Sequence, residues 1–192
     1  MEIEKLINHI NQVIPLNEEE QDVLKTSVNL KKLRRKQFSL QEGDVCKTYN
    51  FVIDGCFRMF MVDDKGTEHI LQFATENWWI ADIGIFHAET PSDFYIEALE
   101  PSTVLQIKKE TLLKFYTNYP KFDRYFRILV ENAFIKMQNR VVQNISSTAE
   151  ERYQSFLNSY PHLLHRIPQI HIASYIGVTP EFLSKVRKNL MK

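Results

Sequence analysis

From residue 38 to about 107, short apolar runs alternate with turn signals at near-regular spacing, and this feature narrows the fold more than any other. Gln41-Glu42-Gly43-Asp44, Asp54-Gly55, Asp63-Asp64-Lys65-Gly66 and Thr75-Glu76-Asn77 each interrupt the chain. Between and after them lie strand-like runs at 49–53, 57–62, 69–73, 78–80, 94–99 and 103–108. About eight short strands with turns every 8–12 residues or so predict an antiparallel β-roll of the jelly-roll type. Just ahead of them stands Lys31-Lys32-Leu33-Arg34-Arg35-Lys36. We read this run as cationic cover on an exposed strand edge, in preference to a nucleic-acid patch. Trp78-Trp79 and Phe94-Tyr95 read as core packing, in preference to a stacking platform for a flat ligand.

The flanks change period. Leu6, Ile7, Ile10, Val13 and Ile14 form one helical stripe ended by Pro15, and Asn17 before Glu18-Glu19-Glu20 starts a second helix. After the roll a short helix at 109–119 is closed by Pro120. Residues 122–145 then run without Gly or Pro, with apolar positions in steps of three and four. That spacing approaches the coiled-coil repeat and predicts a dimerisation helix. Its interface is expected at Phe126, Leu129, Ala133, Met137 and Val141. Ser147 and Thr148 each have a Glu three residues on, so a new helix begins there and runs to about 160. The expected domains are 1–145 and 146–192. The fold class is therefore α+β, a roll with N-terminal helices, a long helix and a small all-α end.

Residues 167–190 read as two short helices broken at Gly177. Ile170, Ile172, Ala173 and Ile176 supply the buried stripe of the first. Gly177 stands where the chain must take positive φ. Thr179-Pro180-Glu181 spells a helix start, with a hydroxyl cap, Pro at the first position and a carboxylate in the first turn. Phe182, Leu183, Val186 and Leu190 are expected to face inward, with Ser184, Lys185, Arg187 and Lys188 turned away. This is a helix-turn-helix pattern. Residues 166–192 hold five Lys/Arg against one acid, a net +4, whereas the whole chain balances 24 against 24. Contact with nucleic acid would have to be local, and this is where it would fall.

Other classes find little support. Cys46 and Cys56 are too few for a disulfide framework or a four-thiolate cluster and read as free core thiols. No apolar run approaches the roughly 18 residues that span a bilayer, and the acidic N-terminus is not a signal peptide, so a cytoplasmic protein without a membrane partner is expected. A cupin-like metal enzyme would need clustered ligands, but the roll segment holds only His69 and His87. With no Gly-rich phosphate loop or nucleophile elbow, neither catalysis, nor a metal, nor a cofactor is expected.

Helices, roll, long helix, hinge and helix pair, in that order, resemble the Crp/Fnr family of bacterial transcription regulators. The marks of the likeness are Gly43, Gly55 and Gly66, the Asp54-Gly55 turn, the segment Ile80-Ala81-Asp82-Ile83-Gly84-Ile85-Phe86, and the final helix pair. The resemblance implies a homodimer whose roll binds an effector and whose last helix reads double-stranded DNA, with RNA polymerase as a further partner. It places effector contacts at Ala81, Asp82, Ser92 and Asp93, and, from the long helix, at Met137 and Gln138. It places DNA contacts at Gln169, Thr179, Pro180, Glu181, Ser184, Lys185 and Lys188.

The departures are informative. Cyclic-nucleotide-binding members carry Gly-Glu-Leu and then Arg-Ser about ten residues later, to hold the ribose hydroxyl and the cyclic phosphate. Here Ala81-Asp82 and Ser92-Asp93 stand in those places, and no Lys or Arg lies between Lys65 and Lys108. Without a charge-assisted phosphate contact, an effector other than cyclic AMP is expected. A β-hairpin wing is expected to be missing after Lys192, and Pro180 replaces a residue that relatives often use to read bases. The competing reading is a signalling module whose helices no longer bind DNA.

Overall fold

In the computed structural model, which describes residues 2–190, the predicted strand count is met by two four-stranded sheets. The elements run α1 (Glu2–Asn11), α2 (Glu18–Ser27), β1 (Val28–Leu33), β2 (Phe38–Leu40), β3 (Thr48–Asp54), β4 (Phe57–Val62), β5 (Glu68–Ala74) and β6 (Trp79–Ile80). There follow α3 (Ile83–Ala88), β7 (Tyr95–Ala98), β8 (Ser102–Lys108), α4 (Lys109–Asn118), α5 (Pro120–Ser146), α6 (Ala149–Ser159), α7 (Gln169–Ile176) and α8 (Pro180–Leu190). One sheet has the order β1-β8-β3-β6 and the other β2-β7-β4-β5. Sequence-adjacent strands thus often fall in different sheets, as a roll requires. β1 is an edge strand, and Lys32, Arg34 and Arg35 beside it are exposed.

The chain packs as two units, Met1–Met61 with Gln72–Leu129, and Val62–Leu71 with Val130–Lys192. In the first, Phe51, Phe57, Ile96, Val104 and Ile107 fill the roll while Leu6, Ile7 and Ile10 of α1 join the same core. The Asn17 amide side chain accepts from the Glu20 backbone N–H and the Glu20 carboxylate accepts from that of Asn17, completing the cap of α2. Trp79 stacks on Tyr49 and packs on Phe51 and Phe126, and its indole N–H donates to Tyr125 Oη at 2.9 Å. Gly55 has a φ of +103°, and a Cβ there would lie 2.1 Å from Ser102 Oγ, so the β3–β4 turn admits only glycine.

This packing corrects one expectation for the long helix. Phe126 is 3% exposed and sits against Tyr49, Trp79, Tyr116 and Tyr125, so it belongs to the roll core and not to a subunit interface. Coiled-coil spacing alone does not say how far a helix stays covered by its own domain.

In the second unit the Thr148 hydroxyl and Glu151 form the reciprocal cap of α6. Tyr153, Phe156, Leu163, Ile172, Ala173, Ile176, Leu183 and Val186 are buried. Gly177 takes φ 72° and donates back to Ser174 O, which ends α7. Three residues expected inside are largely in water: Ile170 at 56%, Phe182 at 48% and Leu190 at 49% exposure. Consecutive helical residues point about 100° apart. Phe182 therefore turns off a buried stripe centred on Leu183 and Val186, and Ile170 points away from Ile172. Leu190 keeps the stripe's spacing but is the last residue of α8.

Candidate functional site

Two places carry the residues singled out by sequence, a cassette in the roll and the outward face of α8. The cassette begins where β6 ends. Ala81 and Asp82 are buried, and Asp82 caps α3 by accepting from the Ile85 N–H through Oδ1. Its other oxygen accepts from Ser92 Oγ at 2.6 Å, and Ser92 Oγ in turn accepts from the Phe94 N–H. Ser92 also exchanges backbone bonds with Gly43 and Asp44. The structure thus brings Ala81, Asp82 and Ser92 together and leaves Asp93 exposed.

Both carboxylate oxygens of Asp82 are occupied, and Ser92 stands where the resembling family has its phosphate-binding Arg. Each oxygen retains a second acceptor site for a hydroxyl, whereas a phosphate would meet this buried acid. The Cys46 thiol next to Asp82 is pushed up by burial and by the carboxylate's charge, so it stays protonated and adds no anion. Met137 and Gln138 are exposed, Met137 at 63%.

A cavity of about 310 Å³ opens beside the cassette, lined by Ser39, Asp44, Cys46, Thr48, Asn50 and Ile96 among others. The buried Ser39 Oγ has no hydrogen-bond partner, and Gln106 Nε2 donates to Asn50 Oδ1 at 2.6 Å and to Thr48 Oγ1. None of the predicted effector residues lines it. Its polar residues were legible only as small interruptions in otherwise apolar strands. Among the described residues no three His, Cys, Asp or Glu side chains are grouped so as to hold a metal ion.

The outward face of α8 is built from behind. Leu183 and Val186 anchor the helix, and Thr179 Oγ1 accepts from the Phe182 N–H as its cap. Pro180, Glu181, Ser184, Lys185 and Lys188 are exposed, as are Gln169 and Thr179. The backbone N–H of Glu181 and the Thr179 hydroxyl hold the Glu181 carboxyl below its usual range, so it is an acceptor-only carboxylate at neutral pH.

The partner helix α7 is held by groups that sequence reasoning missed. Arg140 donates to the carbonyls of Ile70, Leu71 and Tyr175, and its guanidinium lies 4.1 Å from the Tyr175 ring centroid. Ser174 Oγ donates to Glu68 O and accepts from the Ile70 N–H. Arg152 Nε donates to Ile176 O at 2.9 Å. Two guanidiniums thereby satisfy carbonyls that the last turn of a helix leaves without an internal partner. In sequence Arg140 is one cation on a polar helix face, and nothing local marks it.

On the second half of α5, Val130, Phe134, Met137, Val141 and Ile145 are 42–81% exposed. They are spaced by four, three, four and four residues, with exposed Ala133 beside them and Leu129 half-buried. Val130 and Phe134 extend the expected stripe.

A double-sheet roll with a helix-capped cassette, leading through one long helix to a basic helix pair, defines the class of this protein. Residues 30–119 match the family model of the cyclic nucleotide-binding domain, so the roll is of that kind. Solved structures share the fold across most of the chain. FixK2 from Bradyrhizobium japonicum is 17% identical with a TM-score of 0.76, covering 85% of this chain and 84% of that one. The c-di-GMP-responsive global regulator CLP of Xanthomonas campestris is 13% identical at 0.72, covering 88% and 89%. A chain from Eubacterium rectale described as a transcriptional regulator of the crp/fnr family is 16% identical at 0.70, covering 92% and 84%. No curated protein matches in sequence. No helix among the described residues is long and apolar enough to cross a membrane.

Proposed function

We propose that this protein is a homodimeric, DNA-binding transcription regulator of the Crp/Fnr type, with residues 1–145 as the sensing part and 146–192 as the helix-turn-helix part. The observation that carries this reading is the outward face of α8, where Glu181, Ser184, Lys185 and Lys188 stand exposed over buried Leu183 and Val186 at the basic end of a neutral chain. Lys185 suits guanine O6 and N7, and the Glu181 carboxylate suits a cytosine amine. Lys188, Thr179, Pro180 and Gln169 lie against the backbone, where helix termini and cations position without specifying. In this reading a second copy covers the exposed stripe of α5, and a two-fold pair meets half-sites about one DNA turn apart. The cytoplasm is the compartment, and RNA polymerase is the further partner of a regulator bound upstream.

Selection from random duplexes tests the reading. A two-fold symmetric site should be recovered, and binding should weaken about a thousand-fold between 50 and 200 mM salt for some six phosphate contacts. Lys185→Ala should relax one base in each half-site by about 1–3 kcal/mol of discrimination. Equal loss on every sequence would make Lys185 a phosphate contact, and no enriched duplex at low salt would overturn the function.

The effector in this reading is not cyclic AMP, because the cassette supplies an engaged acid and no cation. Calorimetry with cyclic AMP at up to millimolar concentration should register no binding heat. A micromolar fit would refute the assignment.

A further inference from the structure

Phe182 is the large apolar side chain of the first turn of α8 that is not buried: Leu183 beside it is covered, whereas Phe182 stands 48% exposed. Its backbone is held, since its N–H donates to Thr179 Oγ1 in the cap. Glu181 precedes it, and Lys185 lies three residues on, a separation that puts side chains side by side on a helix. An aromatic ring among charged groups cannot neutralise a phosphate and cannot donate to a base edge. The major groove offers such a ring one matching feature, the 5-methyl group of thymine.

We propose that Phe182 is a specificity-determining residue that packs against a thymine methyl in each half-site, next to the base read by Lys185. This rests on the DNA-reading function argued above. Side chains at i and i+3 are about 5–6 Å apart at Cβ, and bases along one strand are about 3.4 Å apart. The thymine therefore falls within about two base steps of the guanine that Lys185 contacts. The class of target is a duplex with a required thymine at that step, and the ring discriminates by apolar contact without hydrogen bonding.

The test takes the duplex recovered by selection and replaces each thymine in turn with deoxyuridine, which removes only the methyl. The full-length protein should lose about four-fold in affinity at one thymine per half-site, the value of one buried methyl-sized group. Replacing both symmetric thymines should cost about fifteen-fold on the same basis. Phe182→Ser should bind the thymine and deoxyuridine duplexes equally while keeping its thermal midpoint, because the replaced ring is half in water. A wild-type protein indifferent to every methyl deletion, or a Phe182→Ser variant with the unchanged thymine preference, overturns the assignment and leaves DNA binding standing. Failure to select any duplex overturns DNA reading and this proposal together.

Discussion

Arg58→Ala is expected to lower the free energy of unfolding by about 3–5 kcal/mol, the usual cost of stranding one member of a buried ion pair. Arg58 and Glu97 face each other across the β4–β7 ladder, 6% and 7% exposed, with Nε donating to the carboxylate at 2.6 Å. The guanidinium also lies 4.0 Å from the Phe60 ring centroid, and Phe60 stacks on Tyr95, its cross-strand neighbour. Removing Arg58 leaves the Glu97 carboxylate in a low-dielectric setting, together with an empty slot beside the ring. Arg58→Met with Glu97→Met removes both charges and should recover most of the loss, since matched apolar replacements are often neutral. Urea unfolding of the three variants decides it. A cost below about 1 kcal/mol for Arg58→Ala would mean that water reaches the pair.

If the proposed dimer forms through α5, Met137→Glu should leave a monomer and weaken operator binding by about 10²–10⁴-fold, the range over which two linked contacts exceed one. Met137 is 63% exposed in the subunit, midway along the stripe from Val130 to Ile145. A charge there costs the isolated subunit little, yet it would face its own copy across a two-fold axis. Sedimentation should give a single-subunit mass with unchanged helix content, and the remaining binding should show about half the salt dependence. A variant that still sediments as a dimer would move the interface off this stripe.

Local chemistry was legible in the sequence. The Asn17–Glu20 and Thr148–Glu151 caps, the Asp54-Gly55 turn and the Gly177 break each depend on residues within a few positions, and each has the expected structure. The exposed set on α8 was legible in part: Ser184, Lys185 and Lys188 face out as expected, but Arg187 is half-buried. What failed was burial at the margins. Phe126 and Leu190 keep a stripe's spacing, but spacing does not reveal where the covering surface stops; Phe182 and Ile170 lie off the stripes set by Leu183, Val186 and Ile172.

Most of the order of elements follows from the chain alone, because capping, turn chemistry and hydrophobic period act over one to four residues; the short helix α3 at Ile83–Ala88 is not among those expected. Only tertiary structure decides that Arg58 meets Glu97 39 residues away, that Ser92 closes on Asp82, and that Arg140 reaches the carbonyls of Ile70 and Tyr175. A charged or hydroxyl side chain is equally stable in water when read locally. Folding determines which of them lose that water and must find a partner, and here those pairings set the shape of the cassette and the seat of α7.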